Sequence, residues 1–367
     1  MTFFFSTNYF NLPIFFVFGI FFAFSMYGWS QIFILRTFTK FVSLNIVIGM
    51  GFTLFLGGIL NHLKLANDDI IKIIFLLGLF LFFLKLYKVN HYFNLKILIK
   101  NINKINFILL IPTILLILSI AFSVNPHAYN YHDDFQKYFL HPVKMLETGS
   151  IFGSTLSAIG SETIGGQSFF QSFFISWLGL RAINIFDSVF CLSLCLFVIL
   201  EWSTKKRILN FGVLIASLLL LINQQYVNVT SIYSGVLFMF ASIIFSLEIL
   251  KERSTLNSFN LKIILAMSFC FGSLFVLKPT YILFSIVYFT SIMFFLLFFF
   301  KLKKNLFFFS VFTPLLSFLI ALPWSIFTIK NYIDVRQSNN ENFFLNLEIF
   351  KFNFPSLIST KPLFYGG

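Results

Sequence analysis

The sequence predicts an all-α polytopic membrane protein, with about ten transmembrane helices and one large outer loop carrying interfacial or re-entrant helices. Three observations lead there. Of 367 residues, 58% are hydrophobic and 11% charged, against about 45–50% and about 25% in soluble domains. The apolar residues fall in blocks near the roughly 20 residues that a bilayer-crossing helix needs. The basic residues gather in alternate loops. This composition excludes a cytosolic enzyme, a disordered tail and a secreted disulfide scaffold. The 59 Phe accompany abundant Ile, Asn and Lys, the pattern of an AT-rich coding sequence, so Phe content alone does not argue for aromatic function.

The expected spans are 12–34, 41–60, 70–84, 107–124, 183–201, 208–223, 231–250, 261–277, 281–300 and 306–326. The first block has no basic flank and no small-residue cleavage site, so it is read as a span and not as a cleaved signal peptide. Cys191, Cys195 and Cys270 all lie inside apolar blocks, which argues against a disulfide framework or a thiolate metal site. No period of 20–50 residues and no matched pair of interrupted spans is visible, which weighs against an inverted-repeat transporter.

Sidedness follows from charge. The net charge of +13 would suggest nucleic acid in a soluble protein, but here it follows topology, and no nucleic-acid partner is expected. Basic loops stand at Arg36 to Lys40, Lys85 to Lys104, Lys205 to Arg207, Lys251 to Lys262 and Lys301 to Lys304. They hold 16 of the 26 Lys and Arg, and only 3 of the 13 acids, Glu201, Glu248 and Glu252, lie in them or at the span ends beside them. The positive-inside rule makes these loops cytoplasmic. The N-terminus and the tail 327–367 then lie outside. Segment 125–182 is also outside, so an odd number of crossings separates it from Lys205. Only 183–201 is therefore read as a crossing there, and the run 168–180, from Gly165-Gly166 through Trp177 to Gly179, becomes an interfacial or re-entrant helix. Three parts result: a three-span segment with a basic loop (1–106), a membrane core with the outer loop 125–182 (107–326), and the tail 327–367.

The outer loop holds the chemistry-bearing residues. It carries Asp133, Asp134, Glu147 and Glu162 and three of the five histidines, His127, His132 and His141. Stretch 134–148 reads as a surface helix, with acids at its positive end and Gly149 ending it. Counting from Asp134, Tyr138 follows at four residues, Met145 at eleven and Gly149 at fifteen. That spacing resembles the first outer loop of the GT-C glycosyltransferases, the polytopic enzymes that include aminoarabinose transferases and protein O-mannosyltransferases. Leu322-Pro323-Trp324 followed by Lys330-Asn331-Tyr332 is similar to the Pro-Trp…Arg-Asn-Tyr signature after a late span of that superfamily. Lys278-Pro279-Thr280 is a third, weaker match. Phe135 stands where the family often has Glu, and Asp334 to Asn342 stands where a Gly-Asn-Pro stretch usually follows.

The resemblance covers roughly 107–335. Because further spans commonly follow the Pro-Trp motif, it implies a shortened or incomplete member. It also implies a GT-C-like fold and transfer of a sugar from a polyprenyl-phosphate donor, at the outer face of the cytoplasmic membrane, to a lipid, glycan or protein. By the spacing, Asp134 matches the catalytic acid, with Asp133 next to it. Such transfer needs a base for the acceptor hydroxyl and positive charge for the departing phosphate. Lys137, Tyr138, Lys144, Lys278, Lys330 and Asn331 are the binding candidates, with Arg181 a further outer cation. His132, Asp133 and Asp134 are candidate ligands for a divalent metal. Simpler readings stand beside these. The acidic pair also suits a helix cap, Lys278 a snorkelling anchor, Trp324 an aromatic belt, and Gly165-Gly166 a tight turn. Asp68-Asp69 reads as a cap, and Cys191 and Cys195 as packing. Rival functions are a polysaccharide polymerase or ligase, for which the loop is poor in arginine, and a lipid-linked-sugar flippase, for which mid-span charges are scarce. A non-catalytic membrane scaffold is the third.

Overall fold

The structure, a computed structural model, describes residues 12–32, 41–89, 139–151, 164–203, 230–251, 261–299 and 303–338. Every regular element among them is helical. They are α1 (Leu12–Ser30), α2 (Val42–His62), α3 (Asp68–Val89), α4 (Leu140–Thr148) and α5 (Gly166–Leu178). A 3₁₀ turn (Leu180–Ala182) and one short turn (Ile183–Ile185) then lead through a π-helical stretch (Phe186–Cys191) into α6 (Leu192–Ser203). After it come α7 (Ile232–Lys251), α8 (Leu261–Leu277), α9 (Thr280–Phe299) and α10 (Lys303–Ser338). Eight of the expected spans thus appear as helices, while 107–124 and 208–223 lie outside the described residues. Four helices, lying in α2, α3, α9 and α10, are long and apolar enough to cross a membrane, and the others are shorter apolar helices.

Burial sorts these helices into a centre and a rim. In α2 78% of the apolar window is buried inside the protein, in α9 only 11%. The outward faces of α9 and α10 show Phe294, Leu297, Phe298 and Phe307, far more contiguous apolar surface than water tolerates. Helices satisfy their own backbone groups, so such faces can meet hydrocarbon without penalty.

Inside the bundle, close approach depends on small residues. A Cβ on Gly28 of α1 would lie 1.9 Å from the carbonyl oxygen of Gly78 in α3. Without a large hydrophobic drive between helices in lipid, such backbone contact supplies the packing. The seam between α8 and α10 is built alike: Ser268 Oγ donates to Thr313 O at 3.2 Å, beside Gly272.

Of the two forms expected over 168–180, interfacial or re-entrant, α5 does not take the interfacial one. It is 13 residues long, about 20 Å by helical rise, short of the ~30 Å hydrocarbon core. Phe169, Phe170, Phe173 and Phe174 are all completely buried. Phe22 of α1 stacks edge-on against Phe170, Phe173, Phe174, Phe186 and Phe190 at ring-centroid distances of 5.1 to 6.4 Å. Aromatic residues on both faces of α5 are therefore covered by protein, where an interfacial helix would keep one face in lipid.

Polar contacts divide the bundle into two ends. At one end Lys85 Nζ meets Tyr27 Oη at 3.1 Å. At that end too, Glu201 accepts from the backbone N–H groups of Val42 (3.1 Å) and Ser43 (2.8 Å), capping α2. At the other, Asp68 accepts from Ser176 Oγ at 2.5 Å, and Ala66 N–H donates to Gly149 O at 2.9 Å. This grouping matches the alternation expected from loop charge, with no pairing across it in these contacts. We call the two the basic end and the loop end.

Candidate functional site

The loop end is organised around α5 and the chain leading to it. Helix α4 ends where expected: Gly149 takes the left-handed conformation (φ 79°), and its N–H closes on Met145 O at 2.8 Å. The next residues bind α2, since Asn61 Oδ1 accepts from Ser150 Oγ (3.1 Å) and Ile151 N–H (2.9 Å). Asn67, not Asp68 or Asp69, caps α3, its Oδ1 accepting from Ile70 N–H at 3.1 Å. Asp68 instead pairs with Lys72 at 2.7 Å.

Gly165 begins α5 with φ 108°. A Cβ there would lie 2.3 Å from Ile151 Cδ1 and 2.7 Å from Trp324 Cζ3. Trp324 is fully buried, donating Nε1–H to Leu54 O at 2.8 Å, so it is an interior post and not a belt residue. On the other side of the turn, a Cβ on Gly166 would lie 2.5 Å from Val276 Cγ1 of α8, two residues before Lys278. Gly165→Ala is expected to cost about 1–3 kcal/mol for its backbone alone, and more for the collision with Trp324. Thermal unfolding in detergent measures this, and an unchanged midpoint would remove the turn from its assigned place.

Beyond Gly166 the polar seam continues to a buried carboxylate. Gln167 Oε1 accepts from Ser234 Oγ at 3.2 Å. Asp187, only 2% exposed, accepts from the N–H groups of Ile232 (3.1 Å), Tyr233 (2.9 Å) and Ser234 (2.9 Å). It caps α7 from another helix, and the donors of a free helix start suit an anion. Asp187 lies in the π-helical stretch Phe186–Cys191, whose extra residue per turn is common at specialised positions. Ser231 Oγ joins the seam to Leu277 O at 3.3 Å, and Tyr281 Oη donates to Ser231 O. Three residues before Asp187, Asn184 is buried with no hydrogen-bond partner on either amide atom. Sequence reasoning places Asp187 only as an acid at the edge of the outer loop, without this role, and does not single out Asn184 or Asn61. An acid within an apolar block is itself a signal, because carboxylates are costly there without partners.

The residues named from sequence fare differently. His132, Asp133, Asp134, Lys137 and Tyr138 lie outside the described residues. Lys144 stands half-buried on α4, and that burial lowers the pKa of its ammonium, so it sheds its proton at a lower pH than a surface lysine. Lys278 sits half-buried between α8 and α9. Lys330 and Asn331 fall on the continuation of α10, which runs through Pro314 and Pro323 to Ser338, so the first part of the expected tail is helical. Among the described residues no three His, Cys, Asp or Glu stand close enough to hold a metal; the proposed ligands are not among those residues.

What fold and site define is a class: an all-helical protein whose apolar helices are compatible with a lipid bilayer, with a packed polar seam at one end. Compared with protein-family models, curated proteins and solved structures, the chain has no match.

Proposed function

We propose that this chain is a GT-C-like membrane glycosyltransferase, acting at the outer face of the cytoplasmic membrane on a polyprenyl-phosphate sugar donor. One observation supports the reading above others. The Gly165-Gly166 turn is lined by Trp324 of the Pro-Trp pair and by residues two positions from the other two resembling segments, Ile151 after Gly149 and Val276 before Lys278. The described residues of this seam hold the loop; its buried acid, Asp187, is committed to three backbone donors.

The reaction is then assigned to the neighbouring loop. Asp134 takes the proton of the acceptor hydroxyl, the acceptor oxygen bonds to the anomeric carbon, and the bond to the lipid phosphate breaks. Lysines on the same side, Lys144, Lys278 and Lys330 among them, offset the charge growing on that phosphate. A divalent metal held by His132, Asp133 and Asp134 would serve the same purpose.

The test is single-turnover assay of the protein in liposomes with a panel of polyprenyl-phosphate sugars. Consumption of one donor, with appearance of the free polyprenyl phosphate, is the expected result. If no donor is bound or consumed, the membrane-scaffold reading replaces this one.

A further inference from the structure

A second feature lies away from the seam. Between α1, the basic-end halves of α2 and α3, and the helix running from Ile185 to Phe197 is a cavity of about 500 Å³, within the range of small-ligand sites. Its wall is apolar except for Tyr27, Lys85 and Ser193, and Ser193 Oγ is spent on Val189 O. It follows α1 from Phe15 to Tyr27, about 18 Å by helical rise, slightly more than half of a ~30 Å hydrocarbon core. This is the length of one leaflet's lipid tail, aligned with the helices.

Its polar end is cationic. Lys85 Nζ bonds Tyr27 Oη at 3.1 Å and Gln31 Oε1, and lies 4.9 Å from the Tyr27 ring centroid. All of these partners are neutral, and among the described residues Lys85 has no carboxylate partner. Glu201, an acid at this end, is turned to the N-terminus of α2 instead. An ammonium at the end of an apolar span is costly unless it reaches the interface or meets an anion.

We propose that this groove binds one anionic phospholipid from the leaflet at the basic end, its phosphate on Lys85 and one tail along α1. The site is separate from the proposed sugar-transfer site and does not depend on that activity.

The experiment is native mass spectrometry of the full chain in mild detergent, with phosphatidylglycerol or phosphatidylcholine of identical acyl chains. One phosphatidylglycerol per chain should be retained about fivefold more than phosphatidylcholine, the preference one lysine confers near an anionic surface. Lys85→Met should bring the two lipids level. Gly19→Leu fills the groove, since a Cβ there stands 3.6 Å from Phe190 Cδ2 with room to extend, and should remove both lipids while leaving a monodisperse elution profile. Equal retention of the two lipids by the wild type, or phosphatidylglycerol binding untouched by either substitution, would overturn the proposal. So would displacement of the phospholipid by polyprenyl phosphate, which would give the groove to that lipid.

Discussion

Asp134→Asn is expected to lower single-turnover sugar transfer by about 10²- to 10⁴-fold, the usual contribution of a positioned general base. Asparagine keeps the shape and the hydrogen-bonding oxygen but cannot accept the acceptor's proton. Donor binding should persist, because the variant removes a group used in the chemical step and leaves the phosphate-binding cations in place. Asp133→Asn should lose less than Asp134→Asn, since the match to Tyr138, Met145 and Gly149 counts from Asp134. Rapid-quench measurement with donor already bound separates the chemical step from binding. Wild-type turnover in both variants would make the acidic pair a helix cap and end the catalytic assignment. Loss in the Asp133 variant alone would shift the base by one residue and break the spacing argument.

The second large effect belongs to Asp187→Ala. This carboxylate satisfies three N–H groups at the start of α7 and is 2% exposed. Removing it leaves buried donors without partners, each costing about 1–3 kcal/mol. The expected outcome is a fall of several degrees in the thermal midpoint, or failure to recover folded protein from the membrane. Asp187→Asn should be milder, because the amide oxygen still accepts from two of the donors and only the third N–H is left facing an NH₂ group that cannot accept from it. If alanine and asparagine behave alike and close to wild type, the cap contributes little and α7 is held by packing alone.

Much of the helical layout was legible beforehand because the bilayer imposes a simple rule. Long apolar blocks must fold as helices, and loop lysines alternate, so the ends on which Asn61, Ser176 and Asp187 meet their partners were deducible without coordinates. Gly149 was legible as a helix stop for an equally local reason, since a left-handed residue follows many helices and glycine adopts that conformation freely. The α5 helix was found, but its surroundings were not. Its four phenylalanines look as ready for lipid as for protein, and hydropathy cannot tell those two apolar environments apart.

The roles of Trp324 and Asp187 escaped for a related reason. Trp324 was read as a belt residue, yet its indole is spent on Leu54 O, 270 residues away in sequence. Asp187 stands at the edge of the outer loop, and its three donors come from α7, more than 40 positions further on. Neither partner is marked by any local pattern.

The sequence by itself determined the apolar helices of the described residues, because these depend on composition and short-range spacing. Only the tertiary structure decided which small residues let backbones touch, which acid caps which helix, and that three distant segments share one turn. Those outcomes rest on contacts a few ångströms long between residues far apart in the chain, and nothing in linear order encodes a distance.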